Sequence, residues 1–295
     1  YMSRLTGTGT ALVTPFKANG TIDEKSLRGL VEWQIKNKVE FLVPCGSTGE
    51  SATMTRDERR RVIEIVVDEN KGRVPVIAGT GTNSTLDSLD LTHDAKEVGA
   101  DAVLLVGPYY NKPTQEGFYQ HFKRIVEECD VKAVLYNVPG RTASNMLPET
   151  TLRLAEEVEN VIAIKEASNN LEQIMEIIKY RPKDFSVLSG EDSLTLPIIT
   201  AGGDGVISVI SNEVPKEYSD LTRAALKGDL KKAQELHYKL FELMKANFYE
   251  SNPIPVKTAL NLMGKIEESL RLPQTKMSKP NRERLKSVLQ DLKLI

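Results

Sequence analysis

One lysine of this chain occupies a position where lysines are rare. Lys165 ends the apolar run 161–164, and such a run is typical of a strand buried inside a protein. Because burying an ammonium group is costly, a buried amine is favoured in its neutral form. A neutral amine can attack a carbonyl and form a Schiff base, whose iminium permits carbon–carbon bond chemistry without a metal or cofactor. The alternative is a strand-end lysine that reaches solvent or a carboxylate.

A pair of hydroxyl residues flanked by glycines follows another apolar run, in the motif Gly46-Ser47-Thr48-Gly49-Glu50. Backbone N–H groups at such a turn can hold a carboxylate or a phosphate. A carboxylate fits better, because no phosphate-loop lysine follows. A plain Ser/Thr turn or helix cap explains the same residues, so both interpretations stay open.

Aromatic and cationic groups end two further runs. Tyr136 ends the run before the one that holds Lys165, and its phenol can relay protons. Arg141 follows on a Pro-Gly loop, where a guanidinium can hold a carboxylate through two hydrogen bonds. Tyr109 and Tyr110 follow the apolar run 102–106. Ordinary packing explains the tyrosines as well, and a surface salt bridge explains the arginine.

The elements that must position these groups alternate regularly along the chain. Eight short apolar runs are each followed by an amphipathic, helix-like stretch, and continuous apolar runs indicate strands buried on both faces. This pattern predicts an α/β fold, a (β/α)8 TIM barrel, with an open doubly wound sheet as the alternative. The predicted strands cover 11–16, 39–44, 74–78, 102–106, 131–136, 161–165, 185–188 and 205–209.

The pattern changes after the eighth run, where only helices are predicted. We expect a barrel over residues 1–225 and a C-terminal helical extension over 226–295. The lysines and carboxylates of the extension are predicted to sit on helix faces with no chemical constellation. In a barrel of this kind the active site gathers at the C-terminal ends of the strands, where the residues singled out above occur.

Composition excludes several classes of protein. The chain has 295 residues, a formal net charge of −2 and 27% charged residues, which gives no electrostatic footprint for nucleic acid or an anionic membrane. The three histidines lack metal-ligand spacing, so no metal and no cofactor are expected. Cys45 and Cys129 lie far apart and fit a reducing compartment. With no secretory signal in the first residues, the expected location is the cytoplasm.

The ordered set of motifs resembles the dihydrodipicolinate synthase and N-acetylneuraminate lyase family, from the run 9–16 to the segment 252–257. The resemblance implies a pyruvate-type 2-oxo acid bound to Lys165 as a Schiff base. An arginine at position 141, after Asn-x-Pro-x, is similar to the synthase branch. In that branch it binds the carboxylate of aspartate semialdehyde, in lysine and diaminopimelate biosynthesis. The alternative is a related aldolase or lyase acting on N-acetylneuraminate or a 2-keto-3-deoxy sugar acid.

The resemblance also implies roles for the other residues. The backbone at Ser47 and Thr48 holds the pyruvate carboxylate, and Tyr136 passes protons during imine formation and cyclisation. A hydroxyl relay joins Tyr136 to Ser47 or Thr48 and to Tyr110, which is expected from a neighbouring subunit. The carbonyl of Ile207 lies near the lysine. The usual assembly is a homotetramer, a dimer of dimers.

Two departures from the family pattern stand out. Ser47 replaces the threonine that is more common in synthases, and sialic acid lyases also carry serine there. The positions that bind lysine as a feedback inhibitor in many synthases have also changed here. Because two arginines add positive charge beside a cationic ligand, we expect inhibition by lysine to be weak or absent. The matching positions read Arg56, Arg59, Asn83, Asp87 and Tyr109.

Overall fold

Eight parallel strands form the centre of the protein. A computed structural model of the chain describes residues 4–295. The sheet order β2-β1-β8-β7-β6-β5-β4-β3 leaves β2 and β3 at its two ends. The strands are β1 Gly7–Ala11, β2 Phe41–Val43, β3 Ile77–Gly79, β4 Ala102–Val106, β5 Ala133–Asn137, β6 Val161–Glu166, β7 Ser186–Ser189 and β8 Gly205–Ser208.

The two end strands meet and nearly close the ring. Leu42 forms a parallel bridge with Val76, and its N–H donates to the carbonyl of Pro75 at 2.9 Å. The N–H of Gly79 donates to the carbonyl of Pro44 at 2.9 Å. The predicted (β/α)8 TIM barrel is confirmed, and the alternative of an open sheet is wrong.

The first strand lies earlier in the chain than predicted. We expected residues 11–16, but β1 covers Gly7–Ala11, a run of alternating glycine and threonine that carries little apolar signal. Close packing requires this composition, because a Cβ on Gly9 would lie 1.9 Å from the ring of Phe41. Residues 12–16 instead follow the C-terminal end of β1, which brings them to the same end of the barrel as the other candidate residues.

Helices join the strands, as the amphipathic stretches between the apolar runs predict. The start of α2 shows why, since Thr55 accepts from the N–H of Glu58 and the Glu58 carboxylate accepts from the N–H of Thr55. The helices are α1 Glu24–Lys36, α2 Arg56–Asn70, α3 Thr85–Glu97, α4 Gln115–Cys129, α5 Pro139–Thr142, α6 Pro148–Glu157, α7 Leu171–Tyr180, α8 Thr195–Thr200, α9 Pro215–Leu226, α10 Leu230–Ala246, α11 Ile254–Leu262 and α12 Lys279–Asp291.

The last three helices follow the barrel and share a core with it. Side chains of α10 and α12 pack with Val206 of β8 and Tyr218 of α9 in one buried apolar cluster. The boundary at residue 225 stays a prediction. The short helix α8 was not predicted, because six mostly buried residues that include a proline show no amphipathic period. Within residues 4–295, none of the helices has the length and apolar character that crossing a membrane requires.

Candidate active site

Lys165 and Tyr136 are neighbours inside the mouth of the barrel. The parallel pairing of β5 with β6 sets Tyr136 directly beside Lys165. Both residues are only 6% exposed, and Lys165 Nζ lies 4.2 Å from the centroid of the Tyr136 ring. The phenol and the amine are therefore held together by the backbone ladder itself, which places a proton donor and a nucleophile within reach of one small molecule.

A second pair of side chains fixes this register. Asn137 and Glu166 follow the two site residues on their strands, and Asn137 Nδ2 donates to Glu166 Oε2 at 3.2 Å and to Oε1 at 3.3 Å. Gln173 Nε2 donates to the same carboxylate at 3.1 Å. Burial raises the pKa of Glu166, against these donors. Sequence reasoning missed this pair, although a carboxylate directly after the strand lysine was a visible signal.

Lys165 is buried, which fits the expected buried amine better than the alternative of a lysine that reaches solvent or a carboxylate. Within residues 4–295 it forms no salt bridge, whereas the other deeply buried lysine, Lys257, is paired with Glu50. The nearby carboxyl of Glu191 has a raised pKa because of burial, with the charge of Asp192 acting in the same direction and Lys165 opposing both. The amine of Lys165 therefore lies in a buried site close to a buried carboxyl group.

The hydroxyl motif forms a tight turn directly after β2. Residues Ser47–Gly49 make one turn of 3-10 helix, with Thr48 buried and Ser47 exposed. Thr14 Oγ1 donates to the Gly49 carbonyl at 2.7 Å, which ties the turn to the segment after β1. Ser47 and Tyr136 line one small cavity, so the turn and β5 meet at the same place. This arrangement allows the turn to hold an anion beside the lysine.

A larger cavity of about 290 Å³ opens outward from the turn. Arg141, on the short helix α5, lies in its wall together with Ser47 and Tyr109. Arg141 is an exposed residue, and its Nη2 donates to the carbonyl of Asn252 at 3.5 Å. A guanidinium at the rim of a cavity this size suits the carboxylate of a small second substrate.

Ile207 and Tyr110 lie in opposite settings. Ile207 is a buried residue of β8, 1% exposed, in the apolar cluster that also contains Tyr136. Tyr110 is 89% exposed and has a positive φ of 71°, so the structure does not bring it to the site of its own chain. The N–H of Asn111 donates to the Tyr109 carbonyl at 2.8 Å, so Tyr110 lies at the centre of a tight turn.

Four of the five positions expected to shape a lysine site lie in two groups. Arg59 and Tyr109 line the larger cavity, and Arg59 Nε donates to the Ser51 carbonyl at 2.9 Å. Asn83 and Asp87 lie at the start of α3, where the Asn83 carbonyl accepts from Asn111.

Arg56 is already engaged by carboxylates. Its Nη2 donates to Asp94 Oδ1 at 2.9 Å, and its Nη1 lies 3.3 Å from Asp90 Oδ2. The hydrogen bonds with Asp94 raise the pKa of Arg56. Of the two arginines, Arg59 is the one whose charge faces the cavity with less compensation.

The extension contributes to the site, contrary to the expectation that its polar groups sit only on helix faces. Lys257 of α11 is fully buried, and its Nζ donates to Glu50 Oε1 at 2.5 Å and to the Thr14 carbonyl at 2.9 Å. Asn252 Nδ2 donates to Thr48 Oγ1 at 3.0 Å. No local pattern reveals these contacts, because each joins positions more than 200 residues apart. Within residues 4–295, no group of three His, Cys, Asp or Glu side chains is arranged to hold a metal ion.

Comparison with known proteins gives consistent matches along the whole chain. Residues 4–292 match the dihydrodipicolinate synthetase family. A 4-hydroxy-tetrahydrodipicolinate synthase of Nitratidesulfovibrio vulgaris is 53% identical over 283 residues, which cover 96% of this chain and 97% of that protein.

Solved structures agree with this result. Dihydrodipicolinate synthase of Thermotoga maritima superimposes with a TM-score of 0.97 at 49% identity, covering 100% of both chains. The chloride-inhibited enzyme of Acinetobacter baumannii, solved in complex with pyruvate, has a TM-score of 0.96 at 42% identity, covering 98% of this chain and 99% of that one. The chain therefore belongs to the dihydrodipicolinate synthetase family.

Proposed function

We propose that this protein is a 4-hydroxy-tetrahydrodipicolinate synthase, which condenses pyruvate with aspartate semialdehyde in lysine and diaminopimelate biosynthesis. The observation that carries the proposal is the pairing of Lys165 with Tyr136, with the amine 4.2 Å from the ring centroid in a buried site. Relatives that match along their full length at about 50% sequence identity bear this name, such as the N. vulgaris enzyme at 53%.

The reaction begins at Lys165. Its neutral amine adds to the keto carbon of pyruvate, and loss of water leaves an iminium. The iminium withdraws electrons from the adjacent methyl carbon, which loses a proton and becomes an enamine. The enamine attacks the aldehyde carbon of the second substrate. The amino group of that substrate then displaces Lys165, so the ring closes, the free lysine returns and one water is released overall.

The surrounding residues bind the two substrates and move protons. The turn at Ser47 and Thr48 presents backbone N–H groups to the pyruvate carboxylate, and the Tyr136 phenol shuttles protons to and from the carbinolamine. Arg141 binds the carboxylate of aspartate semialdehyde at the rim of the cavity. The carbonyl of Ile207, on β8, is proposed to lie near Lys165, as the resemblance to the family implies.

The proposed working form is a homotetramer built as a dimer of dimers. Tyr110 extends into solvent with 89% exposure, and in the assembly it completes the hydroxyl relay of the neighbouring subunit. A monomer seen by sedimentation velocity at assay concentrations, with full activity, would refute this assembly. The two cysteines are free and buried, in keeping with the cytoplasm, which fractionation of the source cells would check.

The experiment treats the protein with pyruvate and borohydride and then measures its mass. We expect one reduced pyruvate adduct on Lys165, and turnover of pyruvate with aspartate semialdehyde in a coupled assay. An adduct on another lysine would contradict the mechanism. An adduct on Lys165 with no turnover of the semialdehyde, but with cleavage of N-acetylneuraminate or a keto-deoxy sugar acid, would contradict the choice of substrate.

A further inference from the structure

Two guanidinium groups lie in the wall of the larger cavity, and the proposed reaction uses only one of them. Arg141 is assigned to the carboxylate of the second substrate, whereas Arg59, on α2, has no role in the reaction proposed above. Arg59 Nε donates to the carbonyl of Ser51, and Arg141 Nη2 donates to the carbonyl of Asn252. Since Ser51 and Asn252 line the same cavity, both guanidinium groups are located at its wall.

The protein does not neutralise the positive charge of these two groups. Within residues 4–295, neither Arg59 nor Arg141 forms a salt bridge, and the acceptor of each is a main-chain carbonyl. The carboxylate that lines the same cavity, Glu50, is already paired with Lys257, whose Nζ lies 2.5 Å from Glu50 Oε1. Two positive charges, one from each arginine, therefore lie at the cavity without a carboxylate partner.

Other arginines at the start of α2 have a different environment. Arg56 donates to Asp94 at 2.9 Å, and Arg60 Nη1 lies 2.7 Å from Glu97 Oε2. Arg59 lies between them in the sequence, yet it lines the cavity and has no carboxylate partner within residues 4–295. Because a guanidinium has five N–H donors and Nε supplies one of them to Ser51, the four N–H groups at its end remain available to a bound anion.

The second substrate matches only part of this charge. Aspartate semialdehyde has one carboxylate and one ammonium group, so its carboxylate suits one guanidinium and its ammonium is repelled by the other. Two guanidinium groups instead match a molecule with two carboxylates and no ammonium, since each can bind one carboxylate through two hydrogen bonds. The cavity volume of about 290 Å³ is near the lower end for ligand cavities, which limits the molecule to a small one.

We propose that the larger cavity is a binding site for small dicarboxylates, with one carboxylate on Arg59 and the other on Arg141. Such a molecule occupies the place of the second substrate, so it inhibits the enzyme by competing with aspartate semialdehyde. The inhibition rests on the proposed function, whereas the binding does not require it. A dicarboxylate without a keto group forms no Schiff base, so it leaves Lys165 free to react with pyruvate.

The test measures the binding of glutarate to the unaltered protein by titration calorimetry. Glutarate has two carboxylates and no keto group, and pentanoate, of the same carbon number, has one carboxylate. We expect glutarate to bind at least about 10-fold more tightly than pentanoate, because it engages a second guanidinium. In steady-state kinetics, glutarate should raise KM for aspartate semialdehyde without lowering kcat. The rate at which the borohydride-trapped pyruvate adduct forms should not change.

Three variants assign the binding to Arg59. Arg59→Gln should weaken glutarate binding about 10- to 100-fold, the range expected for one lost charge-assisted pair. Arg59→Lys keeps the charge and loses the planar fork, so we expect a loss of about 3- to 10-fold, which tests the proposal if Arg59→Gln does not fold. Arg60→Gln is the matched control, because Arg60 pairs with Glu97 and does not line the cavity. It should leave the glutarate Kd within about 2-fold.

Several results would overturn the inference. These are equal affinities for glutarate and pentanoate, an unchanged glutarate Kd in both Arg59 variants, or slower formation of the pyruvate adduct in the presence of glutarate. Any of them, together with a normal Lys165 adduct in the unaltered enzyme, leaves the proposed function intact. Glutarate binding that depends on Arg59 in a protein that forms no adduct with pyruvate would instead overturn the proposed function and leave the dicarboxylate site standing.

Discussion

The protein buries two lysines, one at the floor of the barrel mouth and one at the seam between the hydroxyl turn and the extension. At the seam, Lys257 is fully buried and meets a carboxylate, with Nζ 2.5 Å from Glu50 Oε1. Burial lowers the pKa of Lys257, while Glu50 opposes that shift. At the floor, Lys165 meets the face of Tyr136 instead.

The difference distinguishes Lys257, whose charge stabilises the fold, from Lys165, which we propose to react with substrate. A buried ammonium with a carboxylate partner stays charged and holds two segments together. Lys165 lies against an aromatic ring and forms no salt bridge within residues 4–295, and a lysine amine that is not held by a carboxylate is available as the nucleophile that Schiff-base chemistry requires. Burial alone therefore does not identify a reactive lysine, whereas burial together with the identity of its neighbour does.

The sharpest test of this comparison replaces each lysine in turn. Lys165→Ala should lower turnover by about 10³-fold or more, because no other group supplies the nucleophile. Its thermal unfolding should stay close to that of the unaltered protein, since no ion pair is lost. Turnover in the coupled assay and calorimetry check the two halves of the prediction.

Lys257→Met serves as the matched variant, because it breaks a buried ion pair and leaves Glu50 unpaired. We expect it to lower the free energy of unfolding by about 3–5 kcal/mol. A collapsed thermal transition for Lys165→Ala, or an unaffected one for Lys257→Met, would reverse the roles assigned to the two lysines.

The two lysines also show which features of the site can be predicted from the sequence and which cannot. Lys165 was found because a charged residue in a short apolar run conflicts with its local pattern. Most helices were found for a related reason, since caps and periodicity are local signals. Lys257 lies in a stretch that reads as an ordinary amphipathic helix, and its partner is 207 residues away. Its burial follows from packing of the extension, which no local pattern encodes.

The predicted position of the first strand was wrong for a different physical reason. Glycine is disfavoured in strands and the run 7–11 contains no large apolar residue, but the closeness of Phe41 makes glycine necessary at position 9. The hydroxyl motif was recognised, yet its contact with Asn252 was not, for the same reason as Lys257. The groups on the strands that we propose to react could therefore be singled out from the sequence, whereas the residues of the extension that contact the hydroxyl motif could not.

Arg141 lies where the seam reaches the rim of the cavity, and it tests whether the outer half of the site binds only the second substrate. Arg141→Ala should raise KM for aspartate semialdehyde about 10- to 100-fold, the range expected for a lost charge-assisted pair. Formation of the Lys165 adduct with pyruvate should be unchanged, because the floor of the site is independent. Steady-state kinetics in both substrates, together with trapped-adduct mass, measure the two effects.

Arg124→Ala is the control for a general loss of positive charge. Arg124 pairs with Glu128 on the exposed face of α4, with Nε 2.7 Å from Oε1. Removing it should leave both KM values unchanged. A parallel rise in KM for pyruvate in Arg141→Ala would mean that the rim and the floor of the site bind the two substrates as one unit.

The smallest expected effect concerns inhibition by free lysine, which is a ligand with a positively charged side chain. Micromolar lysine should leave turnover unchanged, because the Arg59 guanidinium in the cavity wall repels a second cation, while the carboxylates of α3 compensate Arg56. Arg59→Gln removes that repulsion and should strengthen any inhibition about tenfold, as expected for one charge a few ångströms away in a partly screened site. Initial rates over a lysine titration measure both outcomes, and inhibition of the unaltered enzyme at micromolar lysine would show that Arg59 does not protect this cavity from cations.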